Sequence, residues 1–386
     1  MLFAIILAPI ALLTFLFVVE LACGLTPLSP HPTEPASSTA IIIVPAHDEA
    51  LGLSATLARL MSCSKNIADV LVVADNCTDD TANIARQAGA RVIERSDDSK
   101  IGKGFALEFA RAHLKGIEPE VVVVVDADCT TDRKSLQKLI AAVAATRRPC
   151  QSVNLLALGT VTSPLVEVST FAFLIKNLVR QRALQRLAGR VHLTGTGMGL
   201  PWALFEKCDL ATSSIVEDLL LGVSLAEKGH SPMLVESALV TSPAASLEGT
   251  MAQRRRWEGG YLQLSRTVAP RLMLNSIRKM NFKGFLAAAD LMIPPVSLLV
   301  MINFAALALL FAASWFDSAV VPLASFQAAL VVVVGLMVAL AWAVEGRGTI
   351  PFKHLVVLPL YVLRKIPHYA TILISGAPRQ WLRGER

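Results

Sequence analysis

Asp126 and Asp128 stand at alternate positions directly after five consecutive valines, Val121–Val125. In extended chain, alternate side chains point the same way, so the pair offers two carboxylates to one point. Hard oxygen donors of this kind suit Mg2+ or Mn2+, which leave positions for water and phosphate oxygens. A cation there would neutralise a departing diphosphate, a Lewis-acid role. Acid pairs in solvated loops are common and mean little, but a pair ending a continuous valine run is poorly explained by solvation. Other acids recur at similar places. Pro45-Ala46-His47-Asp48-Glu49 follows the apolar run Ala40–Val44, and Asp75-Asn76-Cys77 follows Val70–Ala74.

A second acidic pair, Glu217-Asp218, precedes the helical stretch Leu219–Lys228. Acids at a helix start are favoured by the dipole alone, so a functional role and a structural one stand side by side. The cluster Gln253-Arg254-Arg255-Arg256-Trp257 places three cations beside an indole. It suits lipid headgroups, and equally a diphosphate clamp with Trp257 stacked on a sugar ring. Thr194-Gly195-Thr196-Gly197-Met198-Gly199 lacks the GxGxxG spacing, and no strand is evident before it. It reads as a flexible loop beside an acceptor, with Gly197 within it.

These groups need a frame, and the sequence supplies one. Short β-branched runs alternate with helical segments: Ala40–Val44, Glu49–Ser62, Val70–Ala74, Asp80–Ala88, Arg91–Ile93, Lys103–Lys115 and Val121–Val125. Continuous apolar strands between helices imply a mostly parallel sheet covered on both faces. In such sheets ligands bind beyond the carboxyl ends of the strands, where the acids fall. No internal repeat is evident.

Hydrophobic residues make up 54% of the 386-residue chain and charged residues 17%, which points to a membrane protein. Met1–Cys23 has one acid, Glu20, and no basic residue. It is long enough to cross hydrocarbon, and it lacks the basic start of a signal peptide; an uncleaved anchor is expected. Two further spans are expected at Phe285–Ala313 and Pro322–Val344. The first contains Asp290 and Pro294-Pro295, which are tolerated only under cover of protein or a polar cavity. Leu355–Ile374 carries Arg364, Lys365 and His368 near its middle, so an amphipathic helix in the interface is expected, followed by a basic tail, Arg379–Arg386. Leu165–Leu187, apolar and then basic, is a further candidate for a membrane-facing helix. Arg278, Lys279, Lys283, Arg347 and Lys353 flank the spans, whereas the intervening loop Ser314–Val321 holds only Asp317. The positive-inside rule then puts the central domain in the cytosol of a multi-pass protein of the plasma (inner) membrane. The expected division is a transmembrane helix (1–23), a linker (24–38), a catalytic domain (39–275), two transmembrane helices (276–344) and an interfacial helix with a basic tail (350–386). A net charge of +6 suits an anionic membrane surface and calls for no nucleic acid. The six cysteines show no paired metal spacing and read as reduced thiols.

Taken in order, these motifs resemble the family 2 glycosyltransferases with a GT-A fold. The likeness is strongest to the membrane-embedded branch of cellulose, chitin and hyaluronan synthases and ceramide glucosyltransferase, and it spans roughly Thr39–Leu264. The fold implied is Rossmann-like α/β, flanked by transmembrane and interfacial helices. Pro45–Glu49 matches a Pro-x-x-Asn-Glu pattern with Asp48 in place of Asn. The resemblance implies that Glu49 and Asp75 contact the nucleoside, that Lys103 lies near base or phosphates, and that Asp126 and Asp128 bind Mg2+ or Mn2+. It makes Asp218, with Glu217, the catalytic pair, although Val216 replaces the family's Thr. Gln253, Arg256 and Trp257 fit Gln-x-x-Arg-Trp, near donor diphosphate and acceptor. The implied reaction is an inverting transfer from a nucleotide sugar, a UDP-sugar above all, to a lipid or lipid-linked acceptor. The alternative is a processive synthase of a β-linked polysaccharide. The bilayer, the acceptor and other components of a glycan assembly pathway are the implied partners. A non-catalytic nucleotide-binding scaffold would need no base, and a transporter would need more than three spans.

Overall fold

The computed structural model describes residues 2–29, 39–159, 163–244 and 247–376. In chain order the first half comprises α1 (Leu2–Gly24), β1 (Ala40–Ala46), α2 (Ala50–Ser64), β2 (Asp69–Asp75), α3 (Thr81–Gln87), β3 (Arg91–Arg95), α4 (Lys103–Leu114), β4 (Val121–Val124), β5 (Thr130–Thr131), α5 (Arg133–Thr146) and β6 (Cys150–Ala157). There follow α6 (Pro164–Leu174), a π turn (Ile175–Val179), α7 (Arg180–Ala188), β7 (Met198–Pro201), α8 (Trp202–Phe205), α9 (Glu217–Glu227), β8 (Met233–Pro243) and α10 (Leu247–Thr267). The remainder is helical: α11 (Ala269–Arg278), α12 (Phe282–Met292), α13 (Val296–Ser314), α14 (Val321–Ala341), α15 (Leu358–Arg364) and α16 (Ile366–Ser375).

The strands form one sheet in the order β3-β2-β1-β4-β7-β6-β8-β5. β3, β2, β1 and β4 are mutually parallel, as are β6 and β8, while β7 runs antiparallel to β4 and β6. Because the valine and isoleucine runs alternate across the pleat, they fill both faces. Ile42, Val44, Val121 and Val123 meet Leu53 and Leu57 of α2 and Leu139 and Val143 of α5 on one side. Ile41, Ile43, Val122 and Val124 meet Leu107 and Ala110 of α4 and Leu221 of α9 on the other. Full burial of each such side chain contributes about 1.5–3 kcal/mol. Since β1, β2 and β4 are parallel, their carboxyl ends share one edge.

Three helices are long and apolar enough to cross a membrane: Ile5–Gly24, Val296–Ser314 and Ser318–Gly346. Their polar residues meet one another. Asn303 Nδ2 donates to Thr14 Oγ1 at 2.9 Å, and Gln327 Nε2 donates to Asn303 Oδ1 at 2.9 Å, all three residues buried. Bonds of this kind join helices where lipid offers no partner. The stretch expected as one span, Phe285–Ala313, is divided: Ile293 adopts an extended backbone and Pro294-Pro295 separates α12 from α13. Asp290, at the end of α12, is covered. It accepts from Arg180 at 2.8 Å and lies 2.5 Å from His192 Nε2, and Arg180 also reaches Glu20 of α1 at 2.6 Å.

The segment Leu165–Leu187 differs from its expected place at the lipid. Most of α6, the π turn and α7 is buried among the sheet and other helices. Its arginines serve the fold: Arg182 pairs with Glu236 and Glu345, and Arg186 donates to the carbonyls of Cys23, Thr26 and Pro27, closing the end of α1. Lys365 and His368 are also buried, not turned to a headgroup layer. The basic tail Arg379–Arg386 and most of the linker lie outside the described residues.

Candidate active site

The loop after β1 turns sharply at Asp48, whose φ is 51°. Asp and Asn are the side chains that tolerate this conformation best, which accounts for Asp in the place of Asn. Its carboxylate accepts the backbone N–H groups of Thr78 and Asp79 at 2.6 and 3.2 Å and the Thr78 hydroxyl at 3.0 Å, tying the β1 and β2 loops together. Next to it, the Glu49 N–H donates to Thr81 Oγ1 at 2.8 Å. His47 Nδ1 lies 2.7 Å from the Asp75 carbonyl. Asp75 itself is buried and accepts from Arg95 at 2.5 Å. Burial pushes its carboxyl up, against the pull of that guanidinium.

At the end of β4, oxygens of Asp126 and Asp128 and the Cys129 sulfur all lie within 4.8 Å of one another. Two convergent carboxylates fit a divalent cation that prefers oxygen ligands. The Cys129 thiol is held by burial, and then by the neighbouring acids, well above its usual value. It donates to Asp128 Oδ1 at 3.3 Å and meets Ser242 Oγ at 3.1 Å, so it steadies the carboxylate as a neutral group. Lys103, at the start of α4, donates to Asp126 Oδ1 and to the Gly195 carbonyl, the latter at 2.7 Å. Burial alone would lower the ammonium; the charges of Asp126, Glu217 and Asp218 outweigh it and raise the value.

Glu217 and Asp218 open α9 on the facing side. Gly195 brings them close to Lys103: with φ at 84°, a side-chain carbon there would lie 3.3 Å from Asp218 Oδ2 and 3.5 Å from Lys103 Nζ. Burial, and then the Asp218 charge, push Glu217 up to about 8. Burial also raises Asp218, opposed by Lys103, by its bond from the Leu219 N–H and by Lys176. Both carboxyls are thus displaced upward and titrate as a coupled pair.

α10 closes the arrangement. Gly260 lies where an added side-chain carbon would fall 2.8 Å from Val216 Cγ1. The helix thus rests directly on the residue before Glu217. Burial lowers the Arg256 guanidinium, while the charges of Glu217, Asp126 and Asp128 oppose that shift, so one cation faces both acid groups. Trp257 packs on Phe173 with ring centroids 5.7 Å apart. The Gln253 backbone lies on α10, and its side chain is outside the described residues.

A family model described as "Glycosyltransferase like family 2" matches residues 35–260, more than half of the chain. The chain belongs to glycosyltransferase family 2. This glycosyltransferase has a GT-A fold, similar to the mannosyltransferase PcManGT from Pyrobaculum calidifontis, a structure in complex with GDP-Man and Mn2+. The TM-score is 0.55 at 19% identity, covering 86% of this chain and 97% of that one. Glucosyl-3-phosphoglycerate synthase from Mycobacterium tuberculosis, in complex with Mn2+, UDP and glucosyl-3-phosphoglycerate, aligns at a TM-score of 0.43 and 18% identity, over 62% of this chain and 88% of that one. No curated protein matches the chain.

The glycosyltransferase brings Lys103, Asp126, Asp128, Glu217, Asp218 and Arg256 into one group, with Glu49 and Asp75 farther along the same sheet edge. Gly197 stands apart from its expected role. It is buried, its carbonyl accepts from Ser152, and an added side-chain carbon would strike Ser152 Oγ at 1.9 Å. The expected loop ends there, because Met198–Pro201 is strand β7. Two partners escape the sequence motifs. Arg95 binds Asp75 from β3, and Lys176, on the π turn, faces Asp218 with its amine 5.6 Å above the Tyr261 ring. A π turn is itself a frequent mark of functional positions, though nothing in the residue pattern announces one.

Proposed function

We propose that this glycosyltransferase is an inverting, metal-dependent enzyme. It moves a sugar from a nucleoside diphosphate, a UDP-sugar foremost, to a lipid or lipid-linked acceptor at the cytosolic face of the membrane. The observation that carries the reading is the meeting of Asp126 and Asp128 with Lys103, Glu217-Asp218 and Arg256 beyond the parallel strands. Asp126 and Asp128 would hold Mg2+ or Mn2+, which when bound supplies positive charge to the leaving diphosphate. Glu49 and Asp75 serve the nucleoside end, and the sequence motif assigns Gln253 to donor binding together with Arg256.

Asp218 accepts the proton of the acceptor hydroxyl as its oxygen bonds to the anomeric carbon. The bond from that carbon to the diphosphate oxygen breaks, and the electron pair leaves with the nucleoside diphosphate. Arg256 stabilises that developing charge. Lys103 and Lys176 favour the charged form of Asp218, the form that can take the proton. Trp257 offers a ring face to the acceptor, and Lys176 adds positive charge on the same side. One displacement inverts the centre, so an α-linked donor yields a β-glycoside.

Turnover of UDP-glucose and GDP-mannose by the purified protein, with native membrane lipid as acceptor, tests the reaction. Release of nucleoside diphosphate and a glycolipid product should require Mn2+ or Mg2+, and Asp128→Asn should abolish both. Undiminished activity in excess chelator would overturn the metal's role; a water-soluble polymer as sole product would favour the polysaccharide reading. Orientation is tested separately: a cysteine at Ser318 should label from outside intact cells and one at Ser99 should not. External labelling at position 99 would reverse the topology.

A further inference from the structure

α10 carries two faces with different work. Arg256 and Gly260, four residues apart, lie on one stripe, towards the acids and Val216. Arg254, Glu258 and Tyr261 form another, roughly 150° around a helix of 3.6 residues per turn. Each of the three is bound to a different part of the scaffold. Arg254 donates to the Ser169 carbonyl at 2.7 Å, and the Tyr261 hydroxyl donates to the carbonyls of Asp290 and Ile293 at 3.0 and 3.1 Å. Glu258, two residues from Arg256, binds Lys365 at the junction of α15 and α16, and its other oxygen lies 2.9 Å from His368 Nε2.

This last contact stands out. Lys365 is 1% exposed, its amine lies 5.4 and 5.7 Å above the rings of Tyr361 and Tyr369, and Tyr369 in turn meets Ser297 of α13 at 2.8 Å. Burying an ammonium in this way is costly unless it is paired, and removing the partner is costlier still. A contact that served only to fasten α16 to its neighbours would be met by apolar packing. Here the fastening is directed at one helix, the one carrying Arg256 and Trp257.

We infer that Lys365 and His368 are positioning residues for sugar transfer, acting through Glu258 to fix the register of α10 and with it the placement of Arg256. The C-terminal pair α15–α16 is then a working part of the catalytic unit. The inference rests on the reading in which Arg256 stabilises the leaving diphosphate.

The test is a double-mutant comparison in the full-length protein, with nucleoside diphosphate release from UDP-glucose or GDP-mannose in Mn2+ as the readout. Lys365→Met should lower kcat by about tenfold or more, the scale of a small misplacement of a charge at the reacting centre. Donor KM should change less, and Lys365→Arg should restore most of the rate. Adding Lys365→Met to Arg256→Lys should then cost less than about a further twofold, since both act on one group. Losses that multiply, or a Lys365→Met enzyme with parental kcat, overturn the inference. If Lys365→Met does not fold, His368→Asn carries the same comparison, with the same two outcomes. An Arg256→Lys enzyme at the parent rate would instead overturn the diphosphate role itself, a separate failure.

Discussion

Glu217 and Glu258 are both crowded by protein, and their carboxyls move in opposite directions. Glu217 is pushed up to about 8, first by burial and then by the charge of Asp218 beside it. Burial would raise Glu258 too, but the His368 hydrogen bond and the charge of Lys365 outweigh it and hold the group down at about 2. At the scaffold each acid is met by a cation: Glu258 binds Lys365 and His368, and Arg180 and Arg182 each bridge two carboxylates. At the site, Asp126, Glu217 and Asp218 share Lys103, and the acids also face Arg256 and the position a donor would take. Charge satisfied within the fold braces it, whereas charge left in excess is available to a cation, a proton or a substrate.

Substitution of the two glutamates should therefore have opposite signs. The larger effect belongs to Glu258→Gln, which leaves Lys365 buried without its carboxylate. A loss of about 3–5 kcal/mol is expected at neutral pH, read as a markedly lower melting temperature in detergent. A folded value below the unfolded one means that the wild-type contribution is present above the ordinary glutamate value of 4.5 and fades as pH falls towards about 2. Parent and variant curves should converge in acid. A Glu258→Gln protein that melts like the parent at pH 7 would break the contrast.

Glu217→Gln should do the reverse on a smaller scale. Its raised folded value means that the native protein keeps a proton the unfolded chain has lost. Wild-type stability should thus decline as pH rises from about 4.5 to about 8 and level off above. The variant escapes that decline, so its advantage in melting temperature should widen between pH 5 and pH 8. A gap that stays constant, or narrows, would mean that Glu217 is better paired than its surroundings imply.

The parallel half of the fold was legible because its strands are built from uninterrupted β-branched runs, as in Ala40–Val44 and Val121–Val125. β7 was not, since Met198-Gly199-Leu200-Pro201 contains a glycine and a proline. It is a strand because Gly199 packs closely against Val143 and Leu139 of α5, a tertiary cause. Asp126, Asp128 and Glu217-Asp218 could be singled out locally, each lying beside a regular element that orients it. Lys365 and His368 could not, because the acid that explains them lies more than a hundred residues away in sequence. Without Glu258, two cations in an apolar stretch suggest a lipid surface. Lys176 escaped for a related reason: its position opposite Asp218 depends on a π turn.

The central claim is that Asp218 takes the acceptor's proton, and a single conservative change addresses it. Asp218→Asn keeps the shape and removes the base. With saturating donor and Mn2+, transfer should fall by about a hundredfold or more, while metal and donor binding and the melting temperature stay near parental values. An Asp218→Asn protein that binds, melts normally and still transfers sugar at the parent rate would contradict the account.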